Sequence, residues 1–234
     1  MDATERARIH RIDGDRIESV EDTLVVERRI VLRADDRVLV DTACSPGETR
    51  AWALGFLLSE GWIRSPTDVR SIDRRGDEIV VSRSTSAPDA PEPPRRIDAP
   101  LTASPDRILS LAAAARERAS LFEQTGGTHA VAIARGGEIL AFSEDISRTC
   151  ALEKALGIAL DRGIPWHEAV AFLSSRVPSR MIAKLARCGV PIVAAVSAPT
   201  RDAVRLAEAF DICLCGFVRG DRLNVYSHGW RLGL

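Results

Sequence analysis

Residues 191–196 (PIVAAV) and 212–218 (ICLCGFV) are continuous apolar runs, and they restrict the fold more than any other feature of the chain. A strand that is apolar at every position is covered on both faces, as happens inside a parallel or mixed sheet with helices on either side. The neighbouring segments fit that setting. Residues 169–173 read as a further strand, while 179–188 and 202–210 carry the helical period between the strands. Upstream, residues 128–135 and 138–142 flank Gly136-Gly137 and predict a hairpin. A helix follows at about 149–160, and residues 223–226 close the sheet. Ser104-Pro105 supplies an N-cap and first-turn proline for a leading helix, along which Ile108, Leu111, Ala112, Ala115, Ala119 and Phe122 keep helical spacing. The alternation predicts a three-layer α/β domain over residues 104–234.

The first part of the chain reads differently. Residues 1–22 are polar and expected to fray. Residues 23–33 and 38–42 are β-branched runs around the turn Ala34-Asp35-Asp36, and a helix follows in which Ala51, Leu54, Gly55 and Leu58 share one face before Gly61 ends it. A short strand at 78–83 completes a small α+β unit over residues 1–83. Residues 84–103 are rich in Pro, Ser, Ala and Asp, with nothing to build a core, and predict an exposed linker.

The formal net charge of −1 gives no global field to recruit nucleic acid or an anionic membrane, so an anionic partner must meet a local site. No apolar run approaches the roughly 20 residues of a membrane span. The first residues lack the apolar stretch of a signal peptide, and a cytoplasmic location is expected. The five cysteines, Cys44, Cys150, Cys188, Cys213 and Cys215, form no C-x-x-C pair and are expected as free thiols. Cys213 and Cys215 would share one face of a strand and pack as core residues.

In open α/β sheets, ligands bind beyond the carboxyl ends of the strands, where helix N-termini present free N–H groups. The junctions here carry Ser143-Glu144-Asp145 with Arg148 shortly after, Ser174-Ser175-Arg176, Ser197-Ala198-Pro199-Thr200 and Arg219-Gly220-Asp221-Arg222. Thr125-Gly126-Gly127-Thr128-His129 leads into the first strand. Taken singly, the hydroxyls are helix caps, the glycines are turns and His129 is a hydrogen-bonded structural residue. Together they converge hydroxyls, glycines and the arginines Arg148, Arg176 and Arg219 at one sheet edge, which suits a phosphorylated or nucleotide-like ligand.

These segments resemble the formate dehydrogenase accessory sulfurtransferases, the FdhD family. The likeness includes Glu27, Cys44-Ser45-Pro46-Gly47, residues 54–61 (LGFLLSEG), Thr125 to His129, Ser143-Glu144-Asp145, Lys154, Ser197 to Thr200, Gly216-Phe217-Val218-Arg219-Gly220 and Asn224-Val225-Tyr226. The resemblance implies a cytidine-deaminase-like fold for the larger domain and a homodimer. It also implies a role in which sulfur is taken as a persulfide from a cysteine desulfurase. That sulfur passes to molybdenum cofactor in its bis-molybdopterin guanine dinucleotide form, bound as a client and destined for formate dehydrogenase or another molybdenum enzyme. The segment Phe217, Val218, Arg219, Gly220, Asp221, Arg222 is then the cofactor-binding stretch. Gly126, Gly127, His129, Glu144, Asp145, Arg148, Ser174, Arg176, Ser197 and Thr200 complete the expected site.

The chain departs from the family pattern in ways that bear on mechanism. The family's C-G-x-C-G-like loop, whose cysteine bears the persulfide, corresponds to residues 83–105, where there is no cysteine. The family's G-R-H-N-A-x-D-K is Ser147-Arg148-Thr149-Cys150-Ala151-Leu152-Glu153-Lys154 here, and S-G-R-x-S-x-E is residues 174–180 (SSRVPSR). Only a thiolate serves in persulfide exchange. Cys150, at a helix start beside Arg148, is the cysteine expected to take over, unless it simply packs. The alternative is a paralogue that binds the cofactor, or a guanine nucleotide, without persulfide chemistry. A zinc deaminase would need H-x-E and P-C-x-x-C ligands, and neither occurs, so no metal site is expected.

Overall fold

The computed structural model describes residues 2–234. A hairpin of β1 (Thr4–Asp13) and β2 (Arg16–Val25) opens the chain. A four-stranded sheet follows, from β3 (Arg28–Ala34), β4 (Arg37–Cys44), β5 (Val69–Arg75) and β6 (Glu78–Arg83), in the order β4-β3-β6-β5. Helix α1 (Thr49–Ser59) lies between β4 and β5. After an irregular stretch come α2 (Pro105–Glu117), α3 (Ser120–Thr125), β7 (His129–Arg135), β8 (Glu138–Asp145), α4 (Arg148–Asp161), β9 (Val170–Leu173), α5 (Ser179–Cys188), β10 (Ile192–Ala195), α6 (Arg201–Ala209), β11 (Cys213–Arg219) and β12 (Arg222–Ser227). The last six strands form one mixed sheet in the order β12-β11-β10-β9-β7-β8.

The apolar strands sit where continuous burial requires. Every residue of β9 and β10 is buried in the middle of the sheet, and β10 is parallel to both β9 and β11. Alternate residues serve opposite faces. Val131, Leu173, Val193 and Leu214 meet the layer that contains α4 and α5, while Ala132, Phe172, Ala194, Cys213 and Cys215 meet Ile108, Leu111 and Ala115 of α2. Helices therefore cover both faces of the sheet.

The two parts of the chain share one apolar core. Ile30, Leu32, Ile79 and Val81 of the smaller sheet belong to the same cluster as Trp52 and Leu57 of α1, Leu152 and Leu156 of α4, and the larger sheet. Helices α1 and α4 cross backbone to backbone through two glycines. A Cβ at Gly55 would lie 1.7 Å from the Glu153 carbonyl oxygen, and one at Gly157 1.8 Å from that of Ala51. A buried charge network spans the same contact: Lys184 lies 2.8 Å from both Glu153 and Glu60, and the Trp52 indole N–H donates to Glu153 at 2.9 Å.

Three expectations need correction, and one strand was not expected. Residues 4–25 are not frayed: they pair in register from Thr4–Val25 to Asp13–Arg16, Arg6 meets Glu21 across the hairpin at 3.2 Å, and the chain turns at Gly14, φ 60°. The edge strand β5 went unread because its sequence, VRSIDRR, has little apolar content. The leading helix is two helices, and Phe122 is 51 % exposed rather than part of the buried stripe. Residues 84–104 lack regular structure but form a strap rather than a free linker. Ile97 and Ala99 are buried, the Ile97 N–H donates to the Phe210 carbonyl at 3.0 Å, and the buried Arg231 donates to the carbonyls of Ala99 at 2.6 Å and Leu101 at 3.1 Å. Two side chains and a few backbone bonds are enough to hold it.

Candidate functional site

Strands β8, β9, β10 and β11 run the same way, so their carboxyl ends fall on one edge of the sheet. The predicted junctions meet there. The 174–178 and 197–200 loops are stitched together: the Val177 N–H donates to the Ala198 carbonyl at 3.1 Å, and the Thr200 N–H donates to that of Val177 at 3.0 Å. The Ser174 hydroxyl accepts the Ala130 N–H at 2.8 Å, and that of Thr200 accepts the Ala203 N–H as a cap for α6. Both hydroxyls are thus engaged in structure.

At the β11 end the backbone is strained. Between Gly216 and Arg219 the pairing with β12 slips, and Phe217 takes φ +53°, a left-handed conformation costly for a bulky residue. Gly216 permits this because a Cβ there would come within 2.9 Å of Pro199 and Tyr226. The Phe217 N–H reaches the Ser197 carbonyl at 3.4 Å, and Arg219 Nε donates to that of Val196 at 2.9 Å. Arg219, Gly220, Asp221, Arg222 and Arg176 stand exposed at this end, with Arg219 directly opposite Arg222 across the hairpin. Val218 is buried against the α2 layer and cannot touch a ligand.

At the β8 end the two acidic residues turn inward. Glu144 accepts the N–H groups of Leu121 at 3.0 Å and Phe122 at 2.7 Å, and the Thr128 hydroxyl at 3.0 Å, so it caps α3. Asp145, fully buried, pairs with Lys154 at 2.7 Å and accepts the N–H groups of Ser45 at 3.1 Å and Ser147 at 2.8 Å. Lys154 also donates to the Ser45 carbonyl at 2.9 Å, and the Ser45 hydroxyl accepts the Ile146 N–H at 3.1 Å. Burial raises the Asp145 carboxyl above its ordinary range, against the pull of Lys154. Gly126 ends α3 at φ +65°, and Gly127 leaves room for Val25 of β2. His129 pairs with Asp145 in the strand register and is half-buried; burial and then the Arg148 charge lower its pKa, which favours neutral imidazole. Arg148 is the first residue of α4, behind the Ser147 cap.

His129 and Arg148 therefore mark one end of the edge, with Phe217 to Arg222 at the other. Four strand spacings separate β8 from β11, roughly 19 Å at about 4.8 Å each. The surface between them carries the exposed Arg176. The residue-by-residue reading missed the Ser45–Asp145–Lys154 hub. Ser45 and Lys154 entered only through the family likeness, since nothing in their local sequence shows that they would be buried.

All five cysteines are buried. Cys150 is 2 % exposed, and burial, with the nearby Glu153, pushes its thiol up to about 12. The activation expected from Arg148 and the helix start is outweighed. Cys44 is raised to about 11 and Cys188 to about 12, mainly by burial. Cys213 and Cys215 lie on one strand face with their sulfurs 4.0 Å apart. Among the described residues, no group of three or more His, Cys, Asp and Glu side chains is placed to hold a metal, and no helix is long and apolar enough to cross a membrane.

The sequence pattern of the FdhD/NarQ family matches residues 25–97 and 83–233. The sulfur carrier protein FdhD of Listeria innocua is 30 % identical over 97 % of this chain and 98 % of its own length. That of Anaeromyxobacter dehalogenans (strain 2CP-C) is 35 % identical over 92 % of this chain and 90 % of its own. A crystal structure described as a formate dehydrogenase accessory protein, from Desulfotalea psychrophila, superposes with a TM-score of 0.85, covering 99 % of this chain and 100 % of that one at 22 % identity. At that identity the superposition shows the fold alone.

Proposed function

Since the chain belongs to the FdhD/NarQ family, we propose that it is a formate dehydrogenase accessory protein that holds molybdenum cofactor bearing guanine dinucleotides as its client. Its place of work is the cytoplasm. The larger domain is read as cytidine-deaminase-like, and the mixed sheet covered by helices on both faces supports that reading. The carrying observation is the exposed pair Arg219 and Arg222, opposite each other just past the Phe217 bulge, where a guanine nucleotide phosphate would meet both. His129 and Arg148 would serve the far end of so long a ligand. The inward-facing Glu144 and Asp145 frame the edge and do not touch the client.

Sulfur handling is the second part of the reading. The relatives carry the name sulfur carrier, and a cysteine desulfurase, formate dehydrogenase and a second copy of the chain are the partners the family likeness implies. The five buried thiols favour a member that holds the cofactor while the persulfide resides elsewhere. Calorimetric titration with GDP tests the binding site: Arg219→Ala or Arg222→Ala should weaken binding roughly tenfold, as expected for losing a charge-assisted hydrogen bond. Unchanged affinity in both variants rejects the site. Intact mass after incubation with a cysteine desulfurase and cysteine tests the thiols. A reductant-sensitive gain of sulfur would restore the transfer reading for Cys150.

A further inference from the structure

Cys213 and Cys215 project from one face of β11 with their sulfurs 4.0 Å apart, and the cofactor reading uses neither. Both lie in the layer between the sheet and α2, against Ile108, Leu111 and Ala115. The Cys215 S–H donates to the Cys213 sulfur. That bond is the largest influence on Cys213 and holds its thiol below the ordinary range against burial, with the Arg231 guanidinium adding to the pull. Cys44, Cys150 and Cys188 are all pushed the other way.

The strand sets the two sulfurs within bridging range. Residues two apart on a strand have Cα atoms roughly 6.6 Å apart, the long end of the about 4.4–6.8 Å that a disulfide spans. Closing the bond therefore draws β11 together between its cysteines. The strand has room to give there: its pairing with β12 slips between Leu214 and Cys215, and its ladder to β10 ends at Cys215. The next residues are Gly216 and Phe217, where the bulge that leads to Arg219 begins. Access is through α2, of whose 13 residues Ile108, Leu111 and Ala115 alone are buried. Local lifting of so lightly held a helix admits a molecule as small as peroxide, but not a protein.

We propose that Cys213 and Cys215 are a peroxide-responsive dithiol whose closure to a disulfide resets the β11 end of the carboxyl edge. The Cys213 thiolate attacks one peroxide oxygen and the O–O bond breaks, leaving a sulfenic acid. The departing hydroxide becomes water with the proton that Cys213 gave up. The Cys215 sulfur then attacks the Cys213 sulfur, forming the S–S bond and breaking S–O. The second hydroxide leaves as water with the Cys215 proton. Two thiols and one peroxide thus give one disulfide and two waters, with the sulfurs oxidised and the peroxide reduced.

The test treats the folded full chain with hydrogen peroxide, then denatures it in acid, alkylates it and digests it with trypsin, which releases both cysteines on residues 206–219. That peptide should lose the mass of two hydrogens and escape alkylation, and a reductant should reverse both changes. It should do so about tenfold or more faster than Cys44, Cys150 or Cys188 gains oxygen, because those thiols hold less thiolate. Cys213→Ala and Cys215→Ala should each abolish the loss, while Cys188→Ala keeps it. Amide exchange over residues 216–219 should quicken in the oxidised chain, where the Phe217 N–H holds the Ser197 carbonyl at no better than 3.4 Å before oxidation. Oxygen gain without hydrogen loss, a bond to another cysteine, oxidation no faster than that of the other three thiols, or unchanged exchange would each overturn the proposal. The wild-type peptide reports without any variant having to fold, and no readout uses GDP, so the proposal stands or falls apart from the cofactor reading.

Discussion

Lys154→Met tests the buried hub that fixes the β8 end of the candidate site. Lys154 and Asp145 are 2.7 Å apart, with side-chain exposures of 1 % and 0 %, so removing the ammonium leaves a carboxylate in a dry site. Breaking one side of such a pair costs about 3–5 kcal/mol. Protonation sets a ceiling. Placing a proton on a carboxyl of ordinary pKa, about 3.9, costs about 4 kcal/mol at about pH 7. The expected loss is therefore about 3–4 kcal/mol.

The ceiling makes the loss depend on pH in a particular direction. In the variant the folded-state pKa of Asp145 lies above its unfolded value, so the native state holds the extra proton. Stability then falls as pH rises from the unfolded pKa to the raised folded one. Conversely, the penalty should shrink by about 1.4 kcal/mol per unit as pH is lowered from about 7 towards 5. Urea unfolding at several pH values measures this from the midpoint at constant slope. Adding Asp145→Asn should recover much of the loss, because the stranded charge goes with it. A loss below about 1 kcal/mol near neutral pH, or one that does not change with pH, would refute the reasoning.

Other perturbations reach the rest of the frame. Gly157→Ala puts a methyl 1.8 Å from the Ala51 carbonyl and forces α1 and α4 apart, so it should cost about 3 kcal/mol or more in urea unfolding. Arg231→Met strands the carbonyls of Ala99 and Leu101; it should cost about 2–4 kcal/mol and speed proteolysis within residues 84–104, measured by mass mapping of the first cuts. Native protein should leave Cys44, Cys150 and Cys188 unreactive to a thiol-specific disulfide reagent, while denatured protein exposes all five cysteines. Burial pushes the thiols of Cys44, Cys150 and Cys188 up to about 11 to 12, above the unfolded value, so the native state keeps their protons longer. Stability should therefore fall as pH rises past about 9, and an alkaline unfolding series should show a shallower fall for Cys188→Ala.

What could be read from the sequence follows from how local the determinants are. The runs 191–196 and 212–218 announced buried strands because an apolar residue at every position has few other uses, and both became strands in the larger sheet. The Ser104 and Thr200 caps were legible for the same reason, since each hydroxyl bonds a backbone N–H only three residues on. The strap was not, because its fastener, Arg231, lies some 130 positions from the carbonyls it holds. Nor was the fate of Glu144 and Asp145: carboxylates beside hydroxyls at a strand end look like ligand groups until the backbone N–H groups they satisfy are known. The burial of Cys150 is hidden from the sequence in a related way. A helix start and a nearby arginine do lower a thiol pKa, but only where water or charge can reach it.

The sharing of α4 between two ionic contacts shows why the candidate site needs the first part of the chain. Consecutive helical residues point about 100° apart. Glu153 accordingly faces α1 and α5 through Trp52 and Lys184, while Lys154 faces the Ser45 turn and Asp145. One partner of each contact lies among the residues before the strap, Trp52 in the first and Ser45 in the second. Removing those residues would uncover Leu152 and Leu156, leave the Lys154 ammonium without the Ser45 carbonyl, and free Asp145 from one of its two backbone donors. Asp145 sits opposite His129 and holds the loop from which Arg148 starts. The β8 end of the candidate edge is thus built jointly by both parts of the chain, whereas the Phe217–Arg222 end is built by residues after the strap, from β10 and its following loop, β11 and β12. On the proposed cofactor reading, a lesion in the Ser45 turn should leave GDP affinity unchanged in calorimetric titration, since its effect falls at the β8 end.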